Sequence, residues 1–131
     1  MFPFGPPDRP DEPGPVRHIG YVLIVNSKPA VPMLLMAYTS SGPWRGTEGR
    51  LPRGVVEFDR KAAANVGQQP FHLDLRCLAR MRLQPRWFPD LTAPGAGVVG
   101  RADAALRERL EGLLDDLMQR DRALIEVRGS S

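Results

Sequence analysis

The sequence predicts a mainly β protein with a C-terminal helix, in which a mostly antiparallel sheet curls into a small barrel. Short apolar segments rich in β-branched residues alternate with turn residues across residues 19–84. One long stretch, starting near Asp103, instead repeats leucine at helical spacing. The chain has 131 residues and is 42% hydrophobic, which is enough for one core and favours a single domain.

Both ends of the chain are expected to lie outside that domain. Residues 1–15 contain six prolines, which oppose helices and central strands, so they are predicted to form a flexible proline-rich tail. The spacing Pro7-x-x-Pro10 also fits a polyproline segment that docks in an aromatic groove. The domain is assigned to residues 16–122, and residues 123–131 are assigned to a second tail.

The first strands follow from composition. Ile19–Asn26 is predicted to be a buried strand, and Pro32–Thr39 a second one, joined to the first by a proline-containing turn. Residues 40–54 form a polar loop, and Val55–Phe58 a short strand. Asp59 is suited to cap a short helix over residues 60–66 that ends at Gly67.

The next strand begins at Phe71 and alternates in polarity, which predicts one apolar and one polar face. Residues 79–84 either continue this strand or pair as a further one. The leucines of the last helix form a stripe expected to pack on the sheet: Leu106, Leu110, Leu113, Leu114 and Leu117.

Several classes of protein are excluded or disfavoured. No apolar run approaches the length of a membrane span, and the start of the chain lacks the pattern of a secretory signal, so a cytoplasmic protein is expected. Cys77 is the one cysteine, so no intrachain disulfide forms, and we expect no metal. No nucleotide-binding loop, hydrolase elbow or zinc-protease motif is present, and no cofactor is expected.

The positive charge lies in the middle of the chain. Residues 17–100 carry 11 basic and 5 acidic side chains, a net charge of +6, whereas residues 1–16 carry −2. Arginine provides 16 of the 18 basic residues, which favours phosphate contacts but also follows from genomic base composition.

Metal-free cleavage of RNA needs a base, an acid and a donor to the charged phosphate. Residues of these types occur near predicted strand ends. Arg17 is suited to hold a phosphate and Thr39 to donate a hydrogen bond, while His72, His18 or Asp74 are suited to carry protons. Structural interpretations are also open. Arg17 could be a surface charge, Thr39 a hydroxyl that stabilises a turn, and each histidine a surface or hydrogen-bonded structural residue.

The loop over residues 40–54 adds possible RNA contacts. Its basic residues Arg45, Arg50 and Arg53 follow Trp44, which either stacks on an unpaired base or packs in the core. Together with His18 and Ser40, these four residues are the predicted RNA-binding set.

Three stretches resemble the MazF/PemK family of toxin endoribonucleases. Residues 13–25 are similar to the family's Arg-Pro motif followed by an apolar strand, residues 33–40 to its strand ending in Thr-Ser, and residues 100–114 to its terminal helix. The resemblance implies an SH3-like barrel and catalytic roles for Arg17 and Thr39. It also makes Asp74 a possible base beside His72. The proline-rich segment replaces the usual opening strand, and His18 stands where the family usually has proline.

The resemblance implies a toxin that cuts single-stranded RNA at short motifs without metal. It also implies a homodimer and a neutralising antitoxin. Two other functions stay open: a non-catalytic SH3-like module that binds RNA or a peptide, and a toxin of the same barrel class that acts on a protein target.

Overall fold

The computed structural model describes residues 19–41 and 51–129, and within them it shows a mainly β protein with a long C-terminal helix. The strands are β1 (Gly20–Asn26), β2 (Met33–Ser41), β3 (Val55–Phe58), β4 (Phe71–Arg82) and β5 (Glu126–Arg128). The helices are α1 (Arg60–Asn65) and α2 (Ala104–Arg120). No helix in these residues has the length and apolar composition needed to cross a membrane.

The strands form one mixed sheet in the order β1-β2-β4-β3, and β5 also pairs with β4. The predicted hairpin of β1 and β2 is confirmed, and β2–β4 and β3–β4 are antiparallel as well. The β4–β5 pairing is parallel. A parallel pair needs a long crossover connection, and α2 lies in the segment that connects these two strands.

The long strand β4 changes partners halfway along its length. Residues 71–74 pair with β3, and residues 77–79 pair with β5. On the other edge, the register with β2 passes from Ala37 opposite Leu78 to Tyr38 opposite Asp74, which leaves residues 75–77 as a bulge. Bulges bend a strand and increase its twist, so this one bends the sheet near its middle.

The sheet separates two apolar clusters. Residues 35 and 37 of β2 belong with the cluster beneath α2, and residues 34 and 36 with the cluster that contains Trp87. Neighbouring residues of a strand point to opposite faces, so the two clusters lie on opposite sides of the sheet. We call these the helix face and the tryptophan face.

The helix positions follow from caps and from the leucine stripe. The Asp59 side chain accepts a hydrogen bond from the Ala62 backbone at 2.9 Å, and Asp103 accepts one from Leu106 at 2.8 Å. The predicted N-cap Asp59 is therefore confirmed, and Asp103, near which the last helix was expected to start, is the N-cap of α2. The leucine stripe packs on the sheet as predicted: Leu110, Leu114 and Leu117 are buried and Leu106 is partly buried, whereas Leu113 is 39% exposed.

The prediction of a buried first strand is wrong for β1. Within the described residues β1 pairs with β2 alone, so its outer edge is unpaired. Ile24 and Val25 are 56% and 54% exposed. Composition identified a strand correctly, but burial depends on which segments cover it.

The last residues also differ from the expected tail. Residues 123–131 are predicted to be a tail, but Glu126–Arg128 form the strand β5. These three residues pair with Cys77, Leu78 and Ala79 of β4. Ile125 packs against the cluster on the helix face. A three-residue strand has too few residues to show an alternating pattern, so the sequence carries little signal for it.

Candidate active site

Five of the predicted site residues lie outside the described residues, namely Arg17, His18, Trp44, Arg45 and Arg50. The other predicted residues are Thr39, Ser40, Arg53, His72 and Asp74. The structure divides these five residues among three places.

His72 and Asp74 lie on the tryptophan face of the sheet. Ser40 of β2 and Glu57 of β3 are both opposite His72, so a hydroxyl, an imidazole and a carboxylate form one row across three strands. Tyr38 is opposite Asp74 in the next row. The expected polar face of β4 therefore exists, but His72 and Asp74 are only 6% and 8% exposed.

The Asp74 carboxylate is held by its neighbour Arg76. Arg76 donates from Nε to Oδ1 and from Nη2 to Oδ2, both at 2.9 Å, and its backbone N–H donates to Oδ1 at 3.0 Å. The hydrogen bond to Asp74 raises the pKa of Arg76. A carboxylate held on both oxygens by a guanidinium is suited to fixing the bend of β4 and poorly suited to removing a proton from a substrate.

Thr39 lies on the other face. It is opposite Leu73, which stands between His72 and Asp74 and packs beneath α2. The Thr39 hydroxyl donates a hydrogen bond to the backbone carbonyl of Ile19. This contact joins the end of β2 to the start of β1, two residues after Arg17.

A cavity of about 940 Å³ borders β1, and Thr39 is part of its wall. Its other walls come from strands β1 to β4, the segment 83–102 and the first turn of α2, and they include Leu34 and Trp87 of the tryptophan face. The lining is mainly apolar and includes several aromatic rings: Tyr21, Phe58, Phe71, Trp87 and Phe88. A concave apolar surface with a few polar groups is the usual form of a binding site.

Two arginines and one aspartate provide the charged side chains of this cavity. Arg101 and Arg107 are exposed on one side, and Asp90 contributes one carboxylate. Burial raises the pKa of Tyr21, and the nearby Arg107 opposes that rise. The cavity therefore presents a net positive charge next to a hydroxyl and several rings, a combination that suits an anionic ligand with flat apolar groups.

Arg53 lies apart from both groups. Its guanidinium donates to Asp116 and is 2.8 Å from Asp121, both near the end of α2. The hydrogen bond from Arg53 lowers the pKa of Asp116. Arg53 thus joins the segment before β3 to the helix, and two carboxylates offset its charge.

Sequence reasoning did not assign Glu57, Arg101 or Arg107 to a site. Glu57 is exposed beside His72 because β3 pairs with β4 in a particular register, which the sequence does not reveal. In the sequence, Arg107 is one of the polar residues that flank the leucine stripe. Its position in the first turn of the helix, close to the predicted strands, is the one sequence signal that could have placed it there.

Comparison with family models, curated proteins and solved structures finds no match for this chain. Within residues 19–41 and 51–129, no three His, Cys, Asp or Glu side chains are grouped so that they could hold a metal ion.

Proposed function

We propose that the chain is a toxin-type, metal-independent endoribonuclease on an SH3-like barrel, and that it cuts single-stranded RNA in the cavity beside β1. One observation carries this proposal. Thr39, which the resemblance to MazF/PemK toxins makes catalytic, borders the cavity and bonds to the carbonyl of Ile19, two residues after Arg17. Thr39 thus bonds to a residue that follows Arg17 closely in the sequence.

The chemistry is attack of the ribose 2′ oxygen on the neighbouring phosphorus. The 2′ hydroxyl loses its proton to a base, the bond to the 5′ oxygen breaks, and that oxygen receives a proton from an acid. The products are a 2′,3′-cyclic phosphate and a free 5′ hydroxyl. Negative charge grows on the phosphate oxygens during the step, so donors and cations placed there lower the barrier.

Arg17 and Thr39 are assigned to this phosphate. A guanidinium contacts two phosphate oxygens at once, which fixes the orientation of the phosphate as well as neutralising charge. The Thr39 hydroxyl has one proton, so it must turn from the Ile19 carbonyl to donate to the phosphate. Arg107, on the wall of the same cavity, adds a second cation for the RNA backbone.

The position of Thr39 changes the choice of proton carrier. His72 and Asp74 lie on the opposite face, and Asp74 is engaged by Arg76. His18 comes directly before Ile19 in the sequence, and the Ile19 carbonyl accepts the hydrogen bond from Thr39. An imidazole is the side chain best suited to both accept and donate a proton near neutral pH, so His18 is assigned this role.

The partners remain those implied by the resemblance, namely a second copy of the chain and an antitoxin. Ile24 of β1, which does not line the cavity, and Val127 of β5 are exposed apolar residues that a homodimer could bury. The positive cavity suits an acidic antitoxin segment as well as RNA.

The direct test is incubation of a long single-stranded RNA with the protein in EDTA, followed by mapping of the cut ends. We expect discrete cuts with cyclic phosphate ends, and their loss in Arg17→Ala and in Thr39→Val. Thr39→Ser, which keeps the hydroxyl, should still cut, and Arg122→Ala is a matched arginine control outside the cavity. Full activity of both Arg17→Ala and Thr39→Val would disprove the assignment.

RNA that is bound but never cut would favour the non-catalytic binding module. No effect on RNA, together with arrested growth on expression, would favour a protein target. Either result would refute the proposed activity.

A further inference from the structure

The cavity beside β1 leaves apolar surface uncovered in the part of the chain that the structure describes. Val98 and Val99 are 63% and 56% exposed on one side, and Ile19 and Val22 are 47% and 40% exposed on the other. Contiguous apolar surface of this kind normally marks a site that another segment covers. The question is which segment does so.

We propose that residues 1–16 of the same chain bind in this cavity and compete with RNA for it. The occupation of the cavity stands on the structure and the sequence alone. The competition with RNA rests on the function proposed above.

The segment 1–16 is covalently joined to the wall of the cavity. Ile19 lines the cavity, and residues 1–16 end three positions before it. A fully extended chain spans about 3.5 Å per residue, so Phe4 can reach any part of a cavity of this size. Covalent attachment through so short a segment gives an effective concentration in the range of about 1 mM, which a second copy or a separate peptide does not have.

The apolar composition of residues 1–16 also fits the aromatic lining of the cavity. The segment contains Phe2, Phe4 and six prolines, and the cavity wall includes the partly exposed rings of Phe71 and Phe88. Proline-rich segments bind aromatic grooves as polyproline helices, which are already ordered and so lose little entropy on binding. Prolines lack the backbone N–H that strand pairing needs, so we expect contacts with rings rather than pairing with the edge of β1.

The segment and the cavity carry opposite net charges. Residues 1–16 carry Asp8, Asp11 and Glu12 against Arg9, a net charge of −2. The cavity carries Arg101 and Arg107 against Asp90. The opposite signs favour binding and make the segment a partial substitute for the phosphates of RNA.

The test places a photoreactive p-benzoylphenylalanine at position 4, in place of Phe4, in the full chain. After irradiation, cross-linked peptides are identified by mass spectrometry in a mixture of light and heavy isotope-labelled protein. We expect cross-links within one molecule from position 4 to residues 19–25 or 83–102. The same photoreactive residue in place of Met118, exposed on α2, is the control for non-specific reaction.

Cross-links scattered over the surface, or no more frequent at cavity residues than with the control, would overturn the proposal. Links between light and heavy molecules would assign the cavity to a second copy and would also overturn it. Because the cross-link does not depend on catalysis, a failure of the proposed nuclease activity leaves this test intact.

The competition is measured separately with Phe2→Ser/Phe4→Ser in the full chain. If the segment excludes RNA, this variant should bind a fluorescent single-stranded oligonucleotide at least about 3-fold more tightly than the wild type. Asp11→Asn/Glu12→Gln should shift affinity in the same direction. Unchanged affinity in both variants, with the cross-links present, would refute competition but not occupation.

Discussion

The Thr39 side chain bonds to the start of β1, so substitution of Thr39 should change stability as well as the proposed chemistry. Thr39→Val keeps the shape but removes the donor to the Ile19 carbonyl. We expect the free energy of unfolding to fall by about 1 kcal/mol, measured by urea denaturation. Thr39→Ser should restore most of this loss. If Thr39→Val were fully stable, the hydrogen bond would not hold β1.

Asp74 is predicted to matter for stability and not for cleavage. Its side chain is 12% exposed, and it forms the forked pair with Arg76 at the bulge of β4. Asp74→Asn weakens this pair and should cost about 1–3 kcal/mol of unfolding free energy while RNA cleavage persists. Asp115→Asn, at an exposed position on α2, is the matched control and should cost almost nothing. Loss of cleavage in a folded Asp74→Asn protein would place the chemistry on the tryptophan face.

Cys77 should be an unreactive thiol. Burial, and next the charge of Asp74, raise its pKa from 9.0 to about 11. At pH 8 the thiolate fraction is then roughly 100-fold lower than for an ordinary cysteine, and alkylation by iodoacetamide should be slower by about that factor. Alkylation in guanidinium chloride provides the unfolded control, and equal rates in the two conditions would contradict the burial of Cys77.

The raised pKa of Cys77 also makes the stability of the folded protein depend on pH. The unfolded chain loses the thiol proton near pH 9, whereas the folded chain retains it until about pH 11. The unfolded state therefore binds fewer protons in this range, and the free energy of unfolding should fall as the pH rises from about 9 toward 11. Cys77→Ala should remove this part of the pH dependence.

Gly54 and Gly112 should respond in opposite directions to substitution by alanine, because their backbone conformations and neighbouring atoms differ. Gly54, before β3, has φ of +93°, and an added Cβ would lie 2.9 Å from Leu117 of α2. Gly112, within α2, has no neighbouring atom within 4 Å of an added Cβ. Gly54→Ala should lower the free energy of unfolding by at least about 1 kcal/mol. Gly112→Ala should raise it by about 0.5–1 kcal/mol, since alanine favours helix.

Thermal or urea unfolding of the two variants and the wild type measures both effects. Equal shifts for Gly54→Ala and Gly112→Ala, in either direction, would contradict the contact between the Gly54 turn and α2.

The elements themselves could be predicted well where local signals are strong. Asp103 and the leucine stripe define α2, and the proline turn defines the β1–β2 hairpin. The burial of β1 could not be predicted, because its β-branched composition is the same at an edge as at the centre of a sheet. The bulge at residues 75–77 and the pairing of β5 depend on contacts between distant segments, which a local pattern does not encode.

The candidate site shows the same limit. Residue types indicated Thr39, His72 and Asp74 correctly as polar groups near strand ends. Their separation onto two faces depends on the register between β2 and β4, in which Thr39 is opposite Leu73. A shift of one residue in that register would have placed Thr39 on the same face as His72, so the sequence indicates the polar residues but not which of them share a face.

At the scale of the whole molecule, the cavity beside β1 and the row around His72 are the two candidate places for RNA chemistry, and charge and shape favour the cavity. The cavity beside β1 contains Thr39, two arginines and several aromatic rings. The tryptophan face offers the row of Ser40, His72 and Glu57, with His72 buried. The central claim is that RNA chemistry takes place in the cavity and not at this row.

The most direct measurement compares RNA cleavage in EDTA by the wild type, Thr39→Val and Glu57→Gln, with cut ends mapped at single-nucleotide resolution. Each variant removes one polar function, on opposite faces of the sheet. We expect identical cut sites for the wild type and Glu57→Gln and no cuts for Thr39→Val. Cuts that persist in Thr39→Val and vanish in Glu57→Gln would contradict it and would move the active site to the row around His72.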